Sequence, residues 1–192
     1  SFGCTECDAG YLCTTGSTAQ TECAAGTVQP SGGHGVCVPC EGGTYQSATA
    51  QQTCDSCEAG SYCPSGAAAA LPCDAGSFSN ATNLTAADEC TPCPAGSSCS
   101  TGSVAPSACA AGSTTVDEGN AECSGCAAGT YQASTGSTEC SACDAGSYCP
   151  LGASAPLPCP AGYYSTATDL GSAGGPSFGC TECDAGYLCT TG

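Results

Sequence analysis

The feature that most restricts this chain is a recurring Cys-x-Ala-Gly tetrad, varied once to Cys-x-Gly-Gly. It begins at Cys7, Cys23, Cys40, Cys57, Cys73, Cys93, Cys109, Cys126, Cys143, Cys159 and Cys183. Successive tetrads lie 16, 17, 17, 16, 20, 16, 17, 17, 16 and 24 residues apart. Eleven rungs of nearly constant length describe a quasi-one-dimensional stack in which each rung meets its neighbours, not a globule around one core. Composition points the same way. Leu, Val and Phe together supply 15 of the 192 residues, and Ile, Met and Trp are absent. That is too little apolar area to offset the ordering of the backbone. The constraint must come from the 23 cysteines, at a density typical of disulfide scaffolds.

Longer periods overlie the rungs. Ten cysteines from Cys4 to Cys73 each have a counterpart 86 residues later, from Cys90 to Cys159. A third copy opens at Cys180, Cys183 and Cys189, now 90 residues on, with four extra residues between Gly171 and Pro176. Residues 1–16 and 177–192 are both SFGCTECDAGYLCTTG, whereas residues 87–102 match that stretch at only half of its positions. The long period is therefore 176 residues, built of two diverged halves. This divides the chain into copy 1 (1–89), copy 2 (90–179) and the start of the next copy (180–192). The expectation is a piece cut from a tandem array, or from a filament whose subunits continue in register. The odd cysteine count then marks the edge of the excerpt.

Each rung reads as a small hairpin. The tetrad glycine supplies a turn or a close backbone approach without a Cβ. A short β-prone run follows, as in Thr44-Tyr45-Gln46 and Thr130-Tyr131-Gln132, and a polar bend returns the chain to the next cysteine. The fold expected is small and disulfide-rich: an elongated tandem array of short β-hairpin rungs, mostly irregular, with little or no helix. The connectivity favoured is between neighbours along the chain. In the first half it gives Cys7 with Cys13, Cys23 with Cys37, Cys40 with Cys54, Cys57 with Cys63, and Cys73 with Cys90. In the second half it gives Cys93 with Cys99, Cys109 with Cys123, Cys126 with Cys140, Cys143 with Cys149, and Cys159 with Cys180, followed by Cys183 with Cys189. Cys4 is left for an inter-copy bond to the counterpart of Cys159 in a preceding copy. Interleaved patterns such as Cys57 with Cys73 stay open at this level. Closing a loop of about 15 residues contributes roughly 3 kcal/mol in the chain-entropy model. Tyrosines recur beside the cysteines and are expected to cover the bridges.

The charge pattern removes several functions. There is no Lys or Arg against 17 acids, for a formal net charge of -17. Counterion release on nucleic acid has no cations to drive it, and no basic patch exists for anionic lipid. No apolar run reaches the length of a membrane span, so neither nucleic acid nor membrane insertion is expected. With one histidine, His34, read as a loop residue, no catalytic constellation and no cofactor site are expected, and the chain is read as a non-enzyme. Zinc would suit Cys37, Cys40, Cys54 and Cys57 by spacing, but it would leave Cys13, Cys23, Cys63 and Cys73 unexplained. The paired acids Asp88 and Glu89, and Asp117 and Glu118, match no calcium-binding loop. They are read mainly as solvated charges, with weak calcium bridging between neighbours as the minor alternative. Two sequons, Asn80-Ala81-Thr82 and Asn83-Leu84-Thr85, mark Asn80 and Asn83 for covalent glycans in a longer inter-rung loop.

The Cys-x-Ala-Gly-x-Tyr-Cys element at Cys57 to Cys63 and Cys143 to Cys149, together with Cys-x-Gly-Gly-Thr-Tyr at Cys40 to Tyr45, resembles the ephrin-receptor-like cysteine-rich repeats. These belong to a wider tumour-necrosis-factor-receptor-like and growth-factor-receptor-like disulfide class. The resemblance implies a secreted or cell-surface protein, and includes proteins of mastigoneme-type flagellar hairs and other extracellular filaments. The absence of cations and the near-homogenised long period direct the expectation toward a structural, glycosylated filament segment whose partner is its own next copy. The alternative is the ligand-binding or spacer stalk of a receptor-like ectodomain.

Overall fold

The structure, a computed structural model, describes residues 3–171 and 179–189. The four-residue insertion before Pro176 lies outside them. Ten two-stranded antiparallel ladders and a single 3-10 turn, Ala87–Glu89, make up the regular structure of the described residues.

The rung follows directly from its tetrad. The tetrad glycine turns the chain at a φ between +78° and +94° in all eleven rungs, a region where a Cβ is strained. A two-residue strand leaves this turn, and the chain bends and returns as a second two-residue strand. Thr44–Tyr45 thus pairs with Asp55–Ser56, Tyr45 facing Asp55, and Thr130–Tyr131 pairs with Ser141–Ala142. In six rungs the return strand occupies the two positions inside a Cys-x-x-Cys, as in Cys54-Asp55-Ser56-Cys57. One cysteine of that motif therefore closes its own rung and the other opens the next. The opening cysteine continues the ladder, since the Cys57 N–H donates to the Gly43 carbonyl at 2.9 Å and the Cys126 N–H to the Gly112 carbonyl at 2.8 Å.

Neighbouring rungs are joined by two further backbone bonds that recur along the chain. First, the tetrad glycine N–H donates to the residue six places after the next rung's cysteine: Gly26 to Gln46 and Gly112 to Gln132, both at 2.7 Å. Second, the opening cysteine's carbonyl accepts from a residue in the next rung's bend, as Cys40 does from Gly66 at 2.7 Å and Cys57 from Asn83 at 2.8 Å. That bend residue always has positive φ. It is glycine at 33, 66, 102, 119, 136 and 152, but Ala50, Asn83 and Asp169 adopt φ values of 57°, 61° and 61°. Its carbonyl lies directly over the tetrad glycine two rungs back: Gly66 over Gly26, Asn83 over Gly43 and Gly152 over Gly112. A Cβ on any of those three tetrad glycines would overlap that oxygen.

The largest fully buried side chains are all cysteines, with Val28, Ala67, Leu84 and Ala153 as the small apolar additions. Burial is thus distributed rung by rung and not gathered in one centre. The chain forms two compact units, residues 1–91 with 101–105, and residues 92–100 with 106–192.

Candidate functional site

The chemistry of this protein lies in its cysteines. Five short bonds span six residues each: Cys7–Cys13, Cys57–Cys63, Cys93–Cys99, Cys143–Cys149 and Cys183–Cys189. Six longer bonds close the whole bend: Cys23–Cys37, Cys40–Cys54, Cys73–Cys90, Cys109–Cys123, Cys126–Cys140 and Cys159–Cys180. Cys4 is exposed and free.

The two classes obey one positional rule. The opening cysteine of every rung has a possible partner six residues on, and a second one just before the return strand. Where the first position is cysteine (13, 63, 99, 149, 189) the short bond forms. Where it is Gln29, Gln46, Ser79, Thr115, Gln132 or Ser165, the second position carries the cysteine.

The glutamines do more than vacate the position. Gln46 is buried; its amide donates to the Thr53 carbonyl at 2.9 Å, beside Cys54, while its carbonyl oxygen accepts from the Ala48 N–H at 2.9 Å. Gln29 donates to the Val36 carbonyl beside Cys37 at 2.6 Å, and Gln132 to the Glu139 carbonyl beside Cys140 at 2.6 Å. In these three rungs a side-chain amide holds the bend where a short disulfide would have done so. Nothing in the spacing of the cysteines announced this role. The signal is the glutamine recurring six places after Cys23, Cys40 and Cys126.

Two of the tyrosines cover the bridges of the following rung. Tyr45 packs on the cluster of Cys57, Cys63 and Ala67, and Tyr131 on that of Cys143, Cys149 and Ala153. Half-buried against sulfur and alanine, these rings exclude water from the bond.

Asn80 and Asn83 are both exposed. Their loop is fixed at one point by buried Leu84, which bridges to Tyr62 and whose carbonyl accepts from the Cys63 N–H at 2.8 Å. After the second sequon, Glu89 reaches back to accept from the Thr85 N–H at 3.0 Å, the Ala86 N–H at 3.1 Å and the Thr85 hydroxyl. The Thr85 hydroxyl bond foremost, with the two backbone donors, holds the Glu89 carboxyl below its ordinary pKa. Asp88, Asp117 and Glu118 are exposed, and among the described residues no three His, Cys, Asp or Glu side chains converge as a metal site. His34 is an exposed bend residue whose carbonyl accepts from the Cys13 N–H at 3.0 Å and whose ring meets the Ser31 hydroxyl at 3.1 Å.

Two long bonds, Cys109–Cys123 and Cys126–Cys140, and the short bond Cys143–Cys149 run through the segment that a comparison with known families picks out. Residues 112–155 match the family described as tyrosine-protein kinase ephrin type A/B receptor-like. No curated protein sequence matches the chain. The matched segment is an ephrin-receptor-like cysteine-rich repeat, in keeping with an extracellular receptor-like or structural segment, where an oxidising environment keeps so many disulfides closed. No helix among the described residues is long and apolar enough to cross a membrane.

Proposed function

We propose that this chain is a structural segment of an extracellular filament or cell-surface appendage: a disulfide-laddered, N-glycosylated spacer with no catalytic role. One observation carries the reading. The same bond from an opening cysteine's carbonyl to a positive-φ bend residue recurs at Cys7, Cys23, Cys40, Cys57, Cys73, Cys93, Cys109, Cys126 and Cys143. Among the described residues none of these nine rungs departs from it to build a distinct polar cluster. A ligand-binding module concentrates unusual side chains in a few places, whereas a spacer repeats one contact. Glycans on Asn80 and Asn83 would add a solvated coat once per 176-residue period, and the uniformly negative surface would keep neighbouring spacers apart.

The ephrin-receptor-like match supports a second reading, a receptor-ectodomain stalk. Immunogold electron microscopy of intact cells with an antibody to this chain separates the two. Label spaced regularly along extracellular filaments supports the first. Label confined to the plasma membrane, with the filaments bare, overturns it in favour of the stalk. Release of N-glycan from peptides holding Asn80 and Asn83, read as conversion of each Asn to Asp by mass, checks the coat.

A further inference from the structure

The two classes of disulfide partition the chain into closed loops and open links. After a long bond the next rung opens three residues on, as from Cys37 to Cys40, Cys54 to Cys57, Cys123 to Cys126 and Cys140 to Cys143. After a short bond it opens ten residues on: Cys13 to Cys23, Cys63 to Cys73, Cys99 to Cys109 and Cys149 to Cys159. The three-residue links hold the return strands Val38–Pro39, Asp55–Ser56, Ser124–Gly125 and Ser141–Ala142, and are already extended. The ten-residue links hold the whole bend as well, residues 64–72 and 150–158 for example, and no disulfide encloses it.

Each open bend is held by non-covalent contacts alone. In residues 64–72 the Gly66 N–H donates to the Cys40 carbonyl at 2.7 Å, and the Ala67 carbonyl accepts from the Gln46 N–H at 3.1 Å. The Cys73 N–H donates to the Gly60 carbonyl at 2.9 Å, and Tyr62 pairs with Leu71. In residues 150–158 the same four contacts join Gly152 to Cys126, Ala153 to Gln132, Cys159 to Gly146 and Tyr148 to Leu157. Ala67 and Ala153 are the only buried residues of these two bends, while Leu71 and Leu157 stay 41% and 42% exposed. So few buried contacts on so short a ladder mark a segment that opens locally before its surroundings. The enclosed bends make the same bond to an opening cysteine, as Gly136 does to Cys109 at 2.8 Å. Opening them releases no length, because Cys126–Cys140 and its like stay closed.

We propose that the short-bond rungs are the extensible elements of this spacer and the long-bond rungs its covalent stops. Under tension the bends at 64–72 and 150–158, with those at 14–22 and 100–108, pull out reversibly while the closed loops bear the load. Ten residues span about 35 Å when drawn out, against about 10 Å across the folded two-residue ladder. Each bend therefore yields about 25 Å, and the four together about 100 Å. No covalent bond breaks, and the short bond at the base of each bend keeps the register in which it refolds. The choice is written at two positions per rung: Cys63 with Ala70 leaves the bend open, whereas Gln46 with Cys54 encloses it. The proposal rests on the structural reading above and adds a mechanical property to it. An inextensible chain would remove that property and leave the filament assignment to the immunogold label.

The test stretches the oxidised 192-residue chain, with Cys4→Ser throughout, between two marker domains in an atomic force microscope. The parent should lengthen by about 100 Å and recover that length on relaxation. Exchanging the two patterns should move the length in opposite directions. Cys63→Gln with Ala70→Cys carries the Cys57 bond to position 70 and should shorten the extension by about 25 Å. Gln46→Cys with Cys54→Ala carries the Cys40 bond to position 46 and should lengthen it by about as much. Mapping of the bonds without reduction confirms each exchange. Hydrogen exchange on the unstretched parent supplies a measurement that no substitution disturbs. The Gly152 amide should exchange about ten-fold faster than that of Gly136, its counterpart in an enclosed bend. A parent that resists extension until a disulfide breaks, lengths unchanged in both exchanged proteins, or a Gly152 amide as protected as that of Gly136 overturns the proposal.

Discussion

The overlay of a bend carbonyl on a tetrad glycine two rungs back makes a quantitative prediction about two glycines in one unit. At Gly112 the φ is +88° and a Cβ would overlap the Gly152 carbonyl oxygen. At Gly136 the φ is +70°, but the nearest atom to a Cβ is the Ala108 Cβ, an ordinary 3.7 Å away. Gly136→Ala therefore incurs only the left-handed backbone cost, about 1–2 kcal/mol. Gly112→Ala incurs that cost and must also push the Gly152 bend aside. This weakens the bonds from the Gly112 N–H to the Gln132 carbonyl and from the Cys126 N–H to the Gly112 carbonyl. At about 1 kcal/mol per bond, the total is about 3–4 kcal/mol. Because rungs meet only near neighbours, the loss should be local. Native-state hydrogen exchange is the assay. The difference of about 2 kcal/mol corresponds to a roughly thirty-fold greater loss of protection at the Gly112 and Cys126 amides than Gly136→Ala causes at the Gly136 amide. Equal losses from the two substitutions would show that the carbonyl overlay does not constrain the tetrad.

Three further outcomes follow from single side chains. Ala50 occupies with a Cβ the bend position that is glycine at 136. Ala50→Gly should raise local stability by about 0.5–1 kcal/mol, the relief at φ 57° exceeding the entropy cost of glycine, and slower exchange of the Ala50 amide would show it. Gln46→Ala deletes the bonds to Thr53 and Ala48 and should cost about 2 kcal/mol, read as faster exchange at the Ala48 amide; unchanged exchange there would refute the stapling role. The lowered Glu89 carboxyl gives the loop after the sequons a stability present above the ordinary glutamate range. It is lost as pH falls through the depressed folded-state value. Protection of the Thr85 and Ala86 amides should accordingly decline in acid, and Glu89→Gln should flatten that dependence.

The hairpin rungs were legible because two signals coincide in each: a glycine tetrad that forces a turn, and a β-prone dipeptide directly after it. Thr44–Tyr45 and Thr130–Tyr131 are strands for this reason. Less visible was where the return strand would sit, because Asp55–Ser56 or Ser124–Gly125 has no strand propensity of its own. Those dipeptides are extended because the cysteines on both sides are held by different rungs. The overlay between rungs two apart was also hidden, since nothing local to Gly43 reveals that the Asn83 carbonyl, 40 residues on, will rest upon it. Asn83 itself carried a sequon in sequence and a second, conformational role in structure. It tolerates a left-handed bend better than most residues. Ala50 shows that position imposed on a residue with no such preference. The connectivity is the sharpest case. Spacing alone left Cys57 a choice between Cys63 and Cys73, whereas in the structure Cys57 joins Cys63 and Cys73 joins Cys90.

That choice is also where the central claim, that every rung closes on itself before the next begins, is most directly measured. The chain lacks Lys and Arg, so cleavage must be directed to its acids. Glu58 lies between Cys57 and Cys63, and cutting there without reduction leaves a small Cys57 peptide joined to one that holds both Cys63 and Cys73. Mass-spectrometric fragmentation between Cys63 and Cys73 assigns the bond. The Cys57 peptide should remain with Cys63, and Cys73 should be found with Cys90. A Cys57 peptide that travels with Cys73 would mean interlocked rungs, and would contradict the ladder described above.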